Sequence, residues 1–184
     1  PYYINGMINL GSAMEVQGRL DEAAKYNHMA LNIWPESPHA LFNLGMVSFK
    51  KNDLENARHF FELSLEKPGA LPLSHFFLGL TLERLALLPL AENQYQLAIA
   101  AKAMAPEASH HLGLIALNRG ENDKALALFR QAVALNPGLS EAHMNLAELY
   151  RKNGSFDLAR RQAEKAAHLG FSGASEFLRQ LEKP

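Results

Sequence analysis

The chain has 184 residues, of which 48% are hydrophobic and 20% are charged, and its formal net charge is -1. This composition is ordinary for a globular domain. Nucleic-acid-binding proteins carry a basic excess that neutralises phosphates, so we expect no nucleic-acid function. The absence of cysteine excludes disulfides, thiolate metal sites and a cysteine nucleophile, and it is compatible with both the cytoplasm and the periplasm.

Two independent markers recur along the chain at a fixed interval of 34 residues. The first is a Leu-Gly pair at residues 10–11, 44–45, 78–79 and 112–113, which becomes Leu-Ala at 146–147. The second is an alanine, at Ala23, Ala57, Ala91, Ala125 and Ala159. A period of this length is the signature of stacked helix pairs. The sequence therefore predicts an all-α solenoid.

The first copy shows how one repeat is built. Apolar residues at helical spacing up to Met14 predict a first helix, and Gly18 suits its left-handed end. The inner face of the second helix is predicted to consist of Ala23, Tyr26, Ala30 and Leu31. Pro35 cannot continue that helix. We expect small residues such as Gly11 to mark places where two helices approach closely.

The same pattern predicts five helix pairs in chain order. The first helices span about 5–16, 38–51, 72–85, 106–119 and 140–153, and the second helices about 21–33, 54–67, 89–102, 122–135 and 156–169. The repeats then cover about 4–37, 38–71, 72–105, 106–139 and 140–171 of a single array over 1–184. A short helix over about 173–182 caps the last apolar face. Pro1 stands in the phase of a repeat end, 34 residues before Pro35, so we expect a fragment of a longer protein.

The pattern resembles the tetratricopeptide repeat over essentially the whole chain. In the fourth copy the family's residues fall on Leu112-Gly113, Ala125, Phe129, Ala132 and Pro137. The resemblance implies a right-handed superhelical solenoid of antiparallel helix pairs, with five repeats and a C-terminal capping helix. It also implies a non-catalytic scaffold for protein binding.

The polar residues offer no grouping that predicts catalysis or metal binding. The four aspartates, Asp21, Asp53, Asp123 and Asp157, fall at the turns between paired helices, where capping explains them. His110 and His111 are adjacent and diverge by about 100 degrees on a helix. His75 and His143 share a phase that packs between helices. We therefore expect no catalytic residue, no metal and no cofactor. The apolar stretch 70–91 contains charges and prolines, so we expect no membrane insertion.

The family resemblance implies which residues of the first helices face inward. At those phases the middle of the chain carries an apolar set that we expect to anchor a partner: Phe42, Met46, Phe49, Phe76, Leu80, Leu114 and Leu117. An exposed apolar patch of this size marks a binding site, here for a protein or peptide with apolar anchors. The alternative is that these side chains contact each other or the final helix.

Two specialised functions of the family can be compared with these phases. The Lys, Asn and Arg clamp of co-chaperone domains is absent, so we expect no binding of acidic chaperone tails. An asparagine ladder that grips peptide backbone, as in glycosyltransferases with these repeats, is matched by Asn9, Asn43 and Asn145 but interrupted by Phe77 and His111.

The turn 85–88 is apolar where other copies carry polar turn residues, and Leu87 is expected to be exposed. Leu87 is either a lone surface leucine or a contact with a partner, a second copy or a missing part of the chain. This leaves two alternatives to a binding scaffold. The array is a spacer or a self-assembly module that associates through this turn or its repeat ends, or it is the substrate-selecting arm of an enzyme such as a glycosyltransferase.

Overall fold

The computed structural model describes residues 2–181, and over this range the chain forms eleven α-helices and no strand. The first helices of the pairs are α1 (Tyr2–Val16), α3 (Pro38–Lys50), α5 (Leu73–Arg84), α7 (Ala105–Asn118) and α9 (Ser140–Lys152). The second helices are α2 (Leu20–Ile33), α4 (Leu54–Glu66), α6 (Leu88–Ala100), α8 (Asn122–Leu135) and α10 (Phe156–His168), and α11 (Ala174–Leu181) follows. The predicted all-α class is confirmed, and the predicted helix ends between 16 and 169 lie within two residues of those observed. Pro1 and the last predicted residue of the capping helix lie outside the described residues.

The chain forms two compact units, residues 1–103 and 104–184, here called the N-terminal and C-terminal units. In the N-terminal unit each of the helices α1–α6 packs against the next, and the first helices also contact one another, α1 with α3 and α3 with α5. In the C-terminal unit α7–α10 pack in sequence, and α11 packs against α10. Each unit is therefore an array of helix pairs.

In the second, third and fourth pairs the two helices meet where a glycine faces an aromatic ring. A Cβ atom built on Gly79 would lie 2.7 Å from Cε1 of Tyr95, and one on Gly113 would lie 2.5 Å from Cε1 of Phe129. Both rings are completely buried. The expectation that small residues mark close helix approaches is thus confirmed, because no larger residue fits without moving the ring.

The first pair differs from this pattern. The spacing of apolar residues predicts Tyr26 on the inner face of α2, but Tyr26 is only half-buried and Asn27 is completely buried. Asn27 takes the phase of the later aromatic rings, and its Nδ2 lies 2.3 Å from the position that a Cβ on Gly11 would take. The prediction was wrong by one residue because a polar side chain occupies the position that aromatic residues hold elsewhere.

The turns between helices follow the predicted chemistry. Gly18 adopts a positive φ of 75° after α1. Asp53 caps α4 by accepting a hydrogen bond from the backbone N–H of Asn56 at 3.4 Å. The other three aspartates lie in the first turns of α2, α8 and α10, where a negative charge interacts favourably with the helix dipole.

Candidate functional site

The predicted anchors of the N-terminal unit lie on α3 and α5, and we call this side of the first helices the inner face. Phe42, Met46, Phe49 and Leu80 are half-buried, so each keeps part of its side chain accessible. Phe76 is buried, with 5% of its surface exposed. In this arrangement Phe76 supports the face from below, and the other four residues form its surface.

An aromatic cluster holds Phe42 in place. The ring of Phe42 lies 5.7 Å from the ring of Phe61 and 5.7 Å from that of Phe77, measured between centroids. Phe76 continues the cluster, with its centroid 5.4 Å from Phe77 and 6.0 Å from Tyr95. Offset and edge-on contacts at such distances stabilise aromatic pairs. The cluster therefore joins α3, α4, α5 and α6 beneath the inner face and fixes the direction of Phe42.

Charged side chains link neighbouring first helices beside these apolar residues. Lys50 of α3 forms an ion pair with Glu15 of α1. The guanidinium carbon of Arg84 lies 4.7 Å from the ring centroid of Phe49, and Arg84 also donates a hydrogen bond to Asn52. The aromatic ring of Phe49 thus has a cation over one face, which leaves only part of it for a partner.

Tyr95 forms a buried polar link under the inner face. Its hydroxyl donates a hydrogen bond of 2.6 Å to Oε2 of Glu83. Burial raises the pKa of Tyr95 far above its ordinary value of about 10, and the hydrogen bond to Glu83 raises it further. The hydroxyl therefore stays protonated and joins α6 to α5.

The three asparagines of the predicted ladder have different surroundings. Asn9 is exposed. The side-chain amide of Asn43 donates to Oγ of Ser12 at 2.9 Å and to Oδ1 of Asn27 at 3.1 Å. In the C-terminal unit the amide nitrogen of Asn145 lies 2.8 Å from Nε2 of His110. Two of the three amides therefore form hydrogen bonds within their own unit.

The predicted residues of the C-terminal unit lie on α7. Leu114 and Leu117 are half-buried and pack against the core of that unit. Leu117 lines a cavity of about 460 Å³ together with Glu148, Leu149, Arg151 and Lys152. Glu148 and Arg151 occupy inward phases of the family pattern on α9. The structure thus brings three residues from predicted inward phases to one cavity.

Two partly buried contacts between helices were not predicted. Nδ1 of His143 lies 2.7 Å from Oε1 of Gln162, and Nδ1 of His75 lies 2.8 Å from Oε1 of Gln94. These contacts join α9 to α10 and α5 to α6. The sequence contains a signal for them, because histidine and glutamine are 19 residues apart in both copies.

Leu87 precedes α6 and has 37% of its surface exposed. None of the described helices is both long and apolar enough to cross a membrane. Among residues 2–181 no group of three or more His, Asp or Glu side chains is arranged to hold a metal ion.

Stacked helix pairs with a glycine facing an aromatic ring define a helical repeat protein. A model of the tetratricopeptide repeat matches residues 17–72 and 110–170, more than half of the chain. The chain therefore belongs to the tetratricopeptide repeat family.

Solved structures of similar fold span nearly the whole chain. PilF of Pseudomonas aeruginosa is 21% identical, with a TM-score of 0.83 over 98% of this chain and 87% of that one. MamA is 22% identical, with a TM-score of 0.75 over 90% of this chain and 96% of that one. YrrB, described as a TPR protein with an unusual peptide-binding site, is 22% identical, with a TM-score of 0.72 over 95% and 90%. At these identities the likeness establishes the fold alone. No curated protein matches the chain significantly.

Proposed function

We propose that the chain is a non-catalytic scaffold that binds a protein or peptide segment on its inner face. The observation that carries the proposal is the set of four half-buried apolar side chains on α3 and α5: Phe42, Met46, Phe49 and Leu80. Apolar surface that stays partly accessible on a rigid support is typical of interface anchors. YrrB, which has the same fold, is described as binding peptide, and this supports the proposal.

The aromatic cluster contributes preorganisation. Phe42 is held by two neighbouring rings, so a partner would find this side chain already ordered and would not have to immobilise it. Phe76 is buried, and in the proposed site it supports the accessible side chains through its contact with Phe77. Met46 adds an adaptable surface, because its side chain is flexible and polarizable. Leu114 and Leu117 carry the same proposal for the C-terminal unit, with the cavity beside Leu117 as the contact.

The asparagines have a reduced role in this proposal. The Asn43 amide is engaged by Ser12 and Asn27, so we assign it to holding α1, α2 and α3 together. Asn9 is exposed and remains a proposed contact to peptide backbone, and Asn145 would reach a peptide only by exchanging its contact with His110.

The test compares two variants that leave the aromatic cluster intact. Random peptides displayed on phage are selected on the chain, and the dissociation constant of each selected peptide is measured by fluorescence polarisation. Met46→Ser with Leu80→Ser should weaken binding of inner-face peptides at least about tenfold, because removing two apolar anchors costs more than about 1.4 kcal/mol. Val16→Ser with Ile33→Ser is the matched control, because both side chains are exposed apolar residues outside the inner face.

Circular dichroism is used to check that both variants are folded. The proposal fails if no selected peptide depends on Met46 and Leu80, or if the control variant weakens binding equally.

A second candidate function is self-association through α6. Leu90 and Leu97 of α6 are 48% and 40% exposed. Leu87, which immediately precedes this helix, is 37% exposed. At the equivalent positions of two other repeats the residues are polar. They are Asp53 and Asn56 at the start of α4, and Glu121 and Lys124 at the start of α8. Sedimentation velocity over a range of concentrations tests this function. Dimers that disappear on Leu87→Asp would support it, and a monomer at all concentrations would rule it out.

A further inference from the structure

The C-terminal unit contains a cavity that no predicted binding residue lines. It lies between α8 and α10, with residues of α9 at its floor, and its volume is about 510 Å³. Binding pockets in proteins commonly have volumes of about 300–1,000 Å³. The residues that line it come from these three helices and the following turns: Arg130, Val133, Ala134, Pro137, His143, Leu146, Tyr150, Gln162, Lys165, His168 and Leu169.

The walls of this cavity, which we call the α8–α10 pocket, are mainly apolar. Val133 and Ala134 of α8 form one side, and Leu169 forms the other with 43% of its surface exposed. Leu146 closes the floor and is buried. An apolar side chain that entered the pocket would lose contact with water on several sides, which favours binding.

The charged residues of the pocket all have the same sign. Arg130 and Lys165 are positively charged, and no carboxylate is among the lining residues. Lys165 and His168 lie in the last turn of α10, where basic residues interact favourably with the helix dipole. Arg130 lies more than a turn before the end of α8, so this explanation does not cover it. Within residues 2–181 neither Lys165 nor His168 forms an ion pair.

Arg130 is held in a defined orientation. Its Nε donates a hydrogen bond of 2.9 Å to the hydroxyl of Tyr150, and its guanidinium carbon lies 5.5 Å from the centre of that ring. In the described part of the chain its two terminal nitrogens donate no hydrogen bond. A guanidinium fixed in this way presents a planar pair of donors, which matches the two oxygens of a carboxylate.

The floor of the pocket is also fixed by hydrogen bonds. Nε2 of His143 lies 3.1 Å from the carbonyl oxygen of Pro137. The other ring nitrogen contacts Gln162 at 2.7 Å. These contacts hold α9, α10 and the turn after α8 together, so the pocket is present before any ligand arrives.

We propose that the α8–α10 pocket is a second binding site, for a peptide segment of a partner protein that carries an apolar side chain flanked by Asp or Glu. The apolar side chain fits between Val133 and Leu169, and the carboxylate pairs with Arg130 and Lys165. The site shares no residue with the inner face. It differs from that apolar face because the charged side chains at its rim are positive. Its failure would leave the proposed function of the inner face intact.

The test uses random heptapeptides displayed on phage, selected on the folded chain and then synthesised with a fluorescent label. Peptides with an apolar residue beside Asp or Glu should be enriched. Arg130→Gln with Lys165→Gln should raise their dissociation constant at least about tenfold, and replacing the peptide's carboxylates by amides should do the same. Leu169→Ser should weaken the same peptides by removing the apolar wall.

Two controls separate this site from other causes of binding. Arg160→Gln with Arg161→Gln removes the same charge from α10 and should change binding less than about twofold, because these two exposed side chains do not line the pocket. Met46→Ser with Leu80→Ser should leave these peptides bound. The proposal is overturned if no acidic peptide depends on Arg130 and Lys165, or if the Arg160 and Arg161 control has an equal effect.

Discussion

A Cβ atom on Gly45 would lie 2.5 Å from Cε1 of Phe61, closer than side-chain carbons approach in folded proteins. Gly45 is in the middle of α3, and Phe61 is completely buried on α4. The ring is confined by Phe42 and Phe77 and has little room to move. The contact sets how closely α3 and α4 approach and supports the aromatic cluster beneath the inner face.

Alanine substitutions at Gly45, which faces this ring, and at Gly6, which faces open space, are expected to have opposite effects on stability. Gly45→Ala should lower the free energy of unfolding by about 1–3 kcal/mol, because the added methyl group overpacks the helix interface. Gly6→Ala should raise it by about 0.5–1 kcal/mol, because Gly6 lies in α1 with nothing within 4 Å of a built Cβ. Urea unfolding of both variants measures the difference. Equal effects would show that the Gly45 contact does not control packing.

The polar core of the first repeat predicts coupling between Asn27 and Asn43. Asn27 accepts from the Asn43 amide at 3.1 Å and donates to the carbonyl of Ala23 at 2.8 Å. Asn27→Ala should cost about 1–3 kcal/mol, because buried polar partners lose their hydrogen bonds. A double-mutant cycle with Asn43→Ala should give a coupling energy of about 0.5–3 kcal/mol. In the control cycle exposed Asn32 replaces Asn27, and additivity in both cycles would contradict the network.

Tyr95 predicts a pH dependence in the alkaline range. Its pKa is raised in the folded state, chiefly by burial and then by Glu83, so the protonated hydroxyl stabilises the fold fully below the unfolded pKa of about 10. This contribution is lost as pH rises above that value towards the folded pKa. Between about pH 9.5 and about pH 11 the wild type should therefore lose about 1 kcal/mol more than Tyr95→Phe.

The measurement is urea unfolding at several pH values. At neutral pH, Tyr95→Phe should cost about 1–2 kcal/mol for the hydrogen bond to Glu83. Tyr26→Phe serves as the control for the loss of a tyrosine hydroxyl, because Tyr26 is only half-buried. Parallel slopes for the wild type and Tyr95→Phe would refute the assignment.

The contact between His143 and Gln162 predicts that one substitution destabilises more than two. His143→Leu should cost about 1–3 kcal/mol, because Gln162 is left facing an apolar group. The double variant with Gln162→Leu should be more stable than the single one, since both polar groups are removed. The second repeat already carries an apolar pair at these phases, Leu41 and Phe60. Thermal unfolding followed by circular dichroism compares them, and a double variant less stable than the single would disprove the link.

Helix positions could be predicted closely from the sequence. The Leu-Gly and alanine markers recur with a constant period, so each copy reports the same boundary again. The predicted bounds of α8 agree with those observed at both ends, and the end of α6 differs by two residues. Leu117, Glu148 and Arg151, which occupy inward phases of the family pattern, line one cavity.

Side-chain burial could not be read from the phase alone. Phe42 and Phe76 share a phase, yet Phe42 is half-buried and Phe76 is buried against Phe77 and Tyr95. Tyr26 and Asn27 are adjacent, and only the packing of α2 against Gly11 decides which one enters the core. A repeat pattern averages over copies, so it misses a position at which one copy differs.

The sequence by itself determined the family, the helix boundaries and the faces on which apolar residues lie, because these depend on periodicity and local chemistry along the chain. Only the tertiary structure decided which side chains remain accessible, where Asn43 and His143 find their partners, and that Arg130, Lys165 and Leu169 surround one pocket. The physical reason is that accessibility and pocket formation depend on distances between helices, which side-chain packing sets and no spacing within one helix encodes.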